Sequence, residues 1–323
     1  MLYKRIIEQG TINEPEGKPD PQFALPSTVN WMRAVRLLIS EREIDFRSAT
    51  QAYAALGKRE MSDLVQNTVL EQLFLSLHHL SSLDKMKDLR PAADFCRIGI
   101  LAWYYGISNA ASAMIAAQNG SFQEDHSGTA RLWDLEIAAR NLALPPFDWR
   151  VSSLLEAAYK PELDAYRGQS TGTLLATPMS IDQARGAACA YLSGSAKWYA
   201  WRATEEVRRT TEFKQLNVDN FRTKAARELR DKRLAGRSIG FVHQAFRYRG
   251  KANYREALFL AYGRSIEPTI HEFLSDQTKV LKSFVTMAGA FAARKLGREL
   301  WNEFVMDVEA NRAFSMSVSD VWR

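Results

Sequence analysis

The chain has 323 residues, of which 46% are hydrophobic and 25% charged, with a net charge of +6 at neutral pH. These are the proportions of an ordinary globular protein with one large or two ordinary domains. Two distant cysteines, Cys96 and Cys189, argue against a disulfide framework and are too few for a cysteine-based metal site. The leading stretch MLYKRIIEQG has no apolar run of secretory length, and the expectation is a cytoplasmic protein.

Residues 1–27 hold Pro15, Pro19, Pro21 and Pro26 with Gly10 and Gly17, which predict a short irregular arm and linker. From Thr28 the pattern turns helical, with Thr28 or Asn30 as cap and Trp31, Val35 and Leu38 on one stripe. A long helix is expected over Glu60–Leu83, where Leu64, Val65, Val69, Leu73, Leu75, Leu77 and Leu80 supply an apolar face. Helices over Ala92–Gln118 and Ser127–Asn141 follow, the second after an Asp125/Ser127 cap.

The run Ile98–Gln123 has no charged residue and is long enough to span a bilayer. Its centre, Gly106–Ser112, is small and polar rather than rich in Leu, Ile and Phe, which points to the middle of a helical bundle instead. A membrane partner is therefore not expected. Leu142–Thr177 is interrupted by Pro145, Pro146, Pro161, Gly168 and Gly172; Trp149–Val151 and Thr173–Leu175 could be short strands, giving at most a minor β-hairpin.

Helix resumes over Ile181–Thr210, Phe221–Ala235, Ser238–Tyr248, Ala252–Tyr262, Pro268–Leu296 and Arg298–Asn311. Phe314–Arg323 reads as a docking tail held by Phe314 and Trp322. The fold class is all-α, a multi-helix bundle. The division expected is an arm over 1–27, an N-terminal helical region over 28–177 and a basic C-terminal helical region over 178–323.

Charge is unevenly spread. Arg202–Arg255 holds fifteen of the 43 lysines and arginines but six of the 37 acidic residues. Within it Phe221, Phe241, Phe246, Tyr248 and Tyr254 alternate with cations. Stacking rings between guanidinium groups suit a single-stranded nucleic acid or an RNA loop. The binding residues this predicts are Arg222, Lys224, Arg227, Arg230, Arg247, Tyr248, Arg249, Lys251 and Arg255. The opposing reading places the aromatics in the core and the cations on a solvated or protein-facing surface, with the chain a non-catalytic scaffold in a complex.

Motifs for phosphate loops, dinucleotide cofactors, zinc peptidases and serine hydrolases are absent, so neither a cofactor nor a metal is expected. Two arginine–histidine pairs remain, Arg237 with His243 and Arg264 with His271. Arginine can bind phosphate oxygens bidentately and histidine can move a proton near neutral pH.

The stretch Leu101–Met114, LAWYYGISNAASAM, followed by Asp125-His126-Ser127-Gly128, resembles the second helix and following loop of HEPN-type helical domains and the related YaaC-like proteins. The resemblance covers residues 60–210 and implies a helical bundle whose core continues to about residue 210, often a homodimer. Active members are metal-independent ribonucleases of toxin–antitoxin or antiviral systems that carry an Arg-x4–6-His motif. Arg237/His243 and Arg264/His271 meet that spacing, but beyond Ile181–Thr210, where the motif would be expected and no histidine occurs. The expected function is nucleic-acid binding, RNA favoured, with ribonuclease activity at these pairs left open.

Overall fold

The computed structural model describes residues 2–12, 15, 17, 21–250, 258–261 and 267–323. The described residues form fourteen α-helices and no sheet. In chain order they are α1 (Leu2–Gln9), α2 (Pro21–Ser40), α3 (Phe46–Ala52), α4 (Asp63–Met86), α5 (Cys96–Asn119), α6 (His126–Trp133) and α7 (Glu156–Arg167). There follow α8 (Ile181–Arg208), α9 (Thr211–Gln215), α10 (Lys224–Ala235), α11 (Phe241–Gly250), α12 (Glu267–Leu296), α13 (Arg298–Asn311) and α14 (Ser319–Trp322). The all-α bundle expected from periodicity is the architecture found.

The uncharged run is α5, and it occupies the middle of the bundle. It packs most extensively on α4 and α12, and also meets α6 and α11. Trp103, Tyr104, Ile107 and Met114 along it are all fully buried. Each such side chain contributes roughly 1.5–3 kcal/mol relative to exposure, which fits a helix without charge beyond the exposed Arg97 in its first turn. Among the described residues no helix is long and apolar enough to cross a membrane.

Helix α2 bridges α12 to α8. Its Trp31 stacks on Tyr191 of α8 at 4.2 Å and meets Tyr248 of α11 at 4.6 Å, while Trp103 of α5 closes the group at 5.8 Å. This aromatic knot joins residues on both sides of position 177, and the largest apolar cluster runs from Val29 to Trp322. The irregular stretch near 177 therefore does not divide two cores.

Several local expectations are corrected. Helix α2 opens at Pro21 rather than Thr28 and keeps Pro26 inside it. A proline at the first helical position costs nothing, and one at the sixth removes a single hydrogen bond. The hydroxyls of Ser27 and Thr28 both donate to the Ala24 carbonyl there, at 2.9 and 3.0 Å. The expected irregular stretch contains α7, with Pro161 inside it. The expected strand at Trp149–Val151 is reduced to one antiparallel bridge, in which Val151 and Ile239 exchange N–H···O bonds of 2.9 and 3.1 Å. The helix expected over Ala252–Tyr262 lies largely outside the described residues. The tail docks as expected, with Trp322 buried and Phe314 against Phe74 and His78.

Candidate functional site

The Val151–Ile239 bridge matters because it fixes the turn at 236–240. A second tie lies beneath it. Helix α6 continues into a five-residue π-turn, Asp134–Ala138, whose first residue is fully buried. Arg150 donates to both oxygens of Asp134, from Nε at 3.0 Å and Nη2 at 2.9 Å, and the Ser238 hydroxyl donates to Oδ2. Gly240 lies so close that a Cβ there would come within 2.6 Å of Asp134 Oδ1. Only glycine fits that approach.

Helix α11 starts at Phe241, which puts His243 in its first turn. The Gly240 N–H donates to His243 Nδ1 at 3.2 Å, half of a reciprocal capping arrangement. With Nδ1 accepting, the ring proton of the neutral imidazole sits on Nε2. The side chain is 8% exposed. Burial is the main influence on its pKa, and it is pushed down to about 4 although the Asp134 charge pulls the other way. His243 is thus a neutral hydrogen-bonding group at physiological pH.

Arg237 and His243, paired in the sequence by spacing, line one cavity of about 500 Å3 between α6, α8 and α11. Arg237 is not free: it bonds Glu206 of α8 at 2.5 Å, and Arg233 shares the same carboxylate at 2.9 Å. Burial raises the Glu206 pKa, but hydrogen bonds from Arg237 and Arg233 outweigh it and hold the group below its usual range. Arg264 lies outside the described residues, and of His271 only its position in α12 is described.

The predicted binding residues divide into two sets. On α10, Lys224 reaches Glu228 at 3.9 Å and Arg230 pairs with Asp231 at 2.7 Å, while Arg227 is exposed. Arg222, just before α10, lines a broad groove with Arg208 and Lys214. On α11, Arg247 donates to Ser195 at 3.1 Å and lies over the Tyr191 ring, and Arg249 lies over Tyr104 and Phe246. Ser195 and Arg208 are thirteen residues apart on α8, which is about 20 Å along its axis. Arg247 and Arg222 thus meet α8 at points well apart, while Arg249 lies against α5, so the cations are not gathered at one point. Tyr248 is a correction: its ring is 0% exposed inside the aromatic knot and its hydroxyl donates to the Thr28 carbonyl at 2.8 Å, so it cannot stack on a ligand. Lys251 and Arg255 lie outside the described residues.

Helix α8 itself holds what the sequence reading missed. Lys197, Trp201 and Arg208 recur at offsets of four and seven, and so do Trp198, Arg202 and Arg209, making two adjacent stripes. Trp201 is 55% exposed. Lys197, Arg202 and Arg209 are exposed and have no carboxylate partner among the described residues. Arg202 lies over the Trp198 ring at 5.0 Å and also lines the cavity. The signal was present as Trp198-Tyr-Ala-Trp201-Arg202, two tryptophans three apart beside an arginine.

His126 is the first residue of α6 rather than a loop residue. Asp125 caps α6, and the His126 ring sits against Tyr104, Tyr105 and Phe246. Burial, then the Arg249 charge, lowers its pKa.

One half-buried acid outside this site gives a pH-dependent test. Asp148 lines a separate cavity of about 200 Å3, and its buried Oδ1 has no hydrogen-bond partner. Burial pushes its pKa up from 3.8 to about 6. The unfolded chain releases this proton before the folded one does, so the group's contribution to stability falls as pH rises through that window. His243 has the opposite sign, since its stabilising contribution is full above about 6.5 and is lost as pH falls toward about 4. Asp148→Asn is expected to raise stability at neutral pH by about 1–2 kcal/mol and to change little in acid below the ordinary carboxylate range. Urea denaturation of both proteins at the two pH values reads this, and equal stability at neutral pH would contradict it.

Comparison of the chain with protein-family models, with curated proteins and with solved structures finds no match.

Proposed function

We propose that this chain binds single-stranded nucleic acid, RNA in preference, along the exposed side of α8. The observation that carries the reading is Trp201, 55% exposed between Lys197 and Arg202, with both cations free of carboxylates among the described residues. An indole left in water beside uncommitted cations suits a stacked base whose neighbouring phosphates meet the lysine and arginine. Arg208 and Arg222 at the end of α8 extend the track.

The catalytic version, a homodimeric HEPN-like ribonuclease of a defence or toxin module, rests on the resemblance of residues 101–128. His243 gives it little support. Its Nδ1 is engaged by Gly240 and its pKa is far below neutrality, so it is poorly placed to take or give a proton. Binding without cleavage at this histidine is the reading supported best.

Fluorescence anisotropy with a labelled oligouridylate tests it. Trp201→Ala is expected to weaken binding roughly ten- to a hundred-fold, the range for losing one base–aromatic stack. Arg202→Ala is expected to weaken it at low salt and to reduce the salt dependence by about one phosphate contact. Unchanged affinity in the double variant would remove the proposal.

A further inference from the structure

We infer that the cavity between α6, α8 and α11 seats one nucleotide, with its phosphate on Arg131 and Arg202 and its base against the apolar wall of Leu135, Leu154 and Phe246. The inference deepens the proposed function and rests on it only if the nucleotide is the end of a bound strand; a free nucleoside monophosphate is the other source of the same chemistry.

The volume is suitable. About 500 Å3 falls within the usual range of small-ligand clefts. The charges are also suitable once each carboxylate is followed to its partner. Five charged side chains border the space: Asp125, Arg131, Arg202, Glu206 and Arg237. Glu206 is engaged by Arg233 and Arg237. Asp125 is engaged in capping α6, where it accepts from the Gly128 N–H at 2.7 Å and from the Ser127 hydroxyl at 2.5 Å. Those hydrogen bonds, Ser127 first, hold its carboxyl below the usual range, so it stays ionised, one negative charge at the cavity edge without a cationic partner among the described residues.

Arg131 and Arg202 are left over, each without a carboxylate partner among the described residues. They come from different helices, α6 and α8, yet border one cavity. Two guanidinium groups without carboxylates, Arg131 and the Arg202 that lies over the Trp198 ring, border one space and are suited to the oxygens of a phosphate. His243 adds a buried donor in the wall, because Gly240 occupies Nδ1 and leaves Nε2–H for a ligand. The lining also offers apolar surface: Leu154 is buried, Phe246 half-buried and Leu135 exposed. A cavity lined by both cations and apolar side chains matches a nucleoside bearing a phosphate, better than a bare anion or a bare base.

Calorimetric titration of the full chain tests this with uridine, uridine monophosphate, inorganic phosphate, and an oligouridylate with or without a terminal phosphate. The monophosphate, or the terminally phosphorylated strand, is expected to bind about tenfold tighter than its unphosphorylated counterpart. Arg131→Gln is expected to abolish that preference while leaving Trp201-dependent binding of the unphosphorylated strand unchanged. Arg131 is exposed, so the fold should tolerate the change. Preference for the free monophosphate identifies a small-molecule site, and preference confined to the strand identifies an end-binding site; both support the inference. Inorganic phosphate binding as tightly as the monophosphate would overturn it, because the apolar wall would then have no role. Absence of any phosphate preference, or a preference that survives Arg131→Gln, would also overturn it while leaving the α8 track intact. Monophosphate binding without strand binding would keep the inference and remove the proposed function.

Discussion

Arg150→Ala is expected to lower stability by on the order of 3–5 kcal/mol, the usual cost of removing one partner from a buried ion pair. Asp134 is 0% exposed, and Arg150 supplies two of the hydrogen bonds its carboxylate receives. Without Arg150, one hydroxyl, that of Ser238, remains to balance a buried charge. The loss should fall toward the lower end because the Arg150 side chain is 20% exposed and water can reach its place. Replacing both partners, Asp134→Asn with Arg150→Met, should recover much of the loss, since no uncompensated charge is then buried. Chemical denaturation of the wild type, both single variants and the double variant gives the coupling energy. A single-variant loss below about 1 kcal/mol would mean that this pair does not hold the 236–240 turn. The consequence reaches the site, because that turn presents Arg237 and starts the helix of His243.

Trp322→Ala is expected to cost about 3–5 kcal/mol, the range for deleting a buried tryptophan. The side chain is 1% exposed and packs against Trp301 and Phe304 at ring distances of 5.5 and 5.8 Å. Its Nε1 donates to the Val285 carbonyl of α12 at 3.1 Å. The indole lies directly over Gly289, where a Cβ would fall 2.3 Å from Nε1. Gly289→Ala should therefore destabilise in the same way, by pushing the tail away rather than by leaving a cavity. The two changes should be clearly less than additive, because either one undocks α14. Thermal denaturation together with amide exchange in α12 and α13 reads both effects. Unchanged exchange protection in Trp322→Ala would show that the tail is not part of the cooperative core.

What the sequence revealed and what it concealed follow from range. The uncharged run was legible as a core helix because a helix buried over most of its surface shows no charged face, and from Gly99 to Ala117 α5 exposes only Tyr105. The basic stretch was legible as composition, but its distribution along about 20 Å of α8 depends on how α10 and α11 attach to that helix. Tyr248 and Trp201 illustrate the limit. Both stand beside arginines, in Arg247-Tyr248-Arg249 and Trp201-Arg202, and local pattern treats them alike. The packing of α11 onto α2, α5 and α8 turns Tyr248 inward, whereas Trp201 stays 55% exposed. The Asp134–Arg150–Ser238 tie had no local signal, since its members are 16 and 104 residues apart from Asp134. Arg237 and His243 were found because both lie within one turn and one helix start, close enough for spacing to carry information. Their roles were not legible, because a capping bond to Nδ1 and an ion pair to Glu206 are tertiary facts.

The most direct test of nucleic-acid binding by α8 is the salt dependence of oligouridylate affinity. If Lys197, Arg202 and Arg209 each neutralise a phosphate, log K should fall linearly with log salt with a slope of about −2 for a single strand. A slope near zero, or affinity too weak to measure at low salt, would contradict the account.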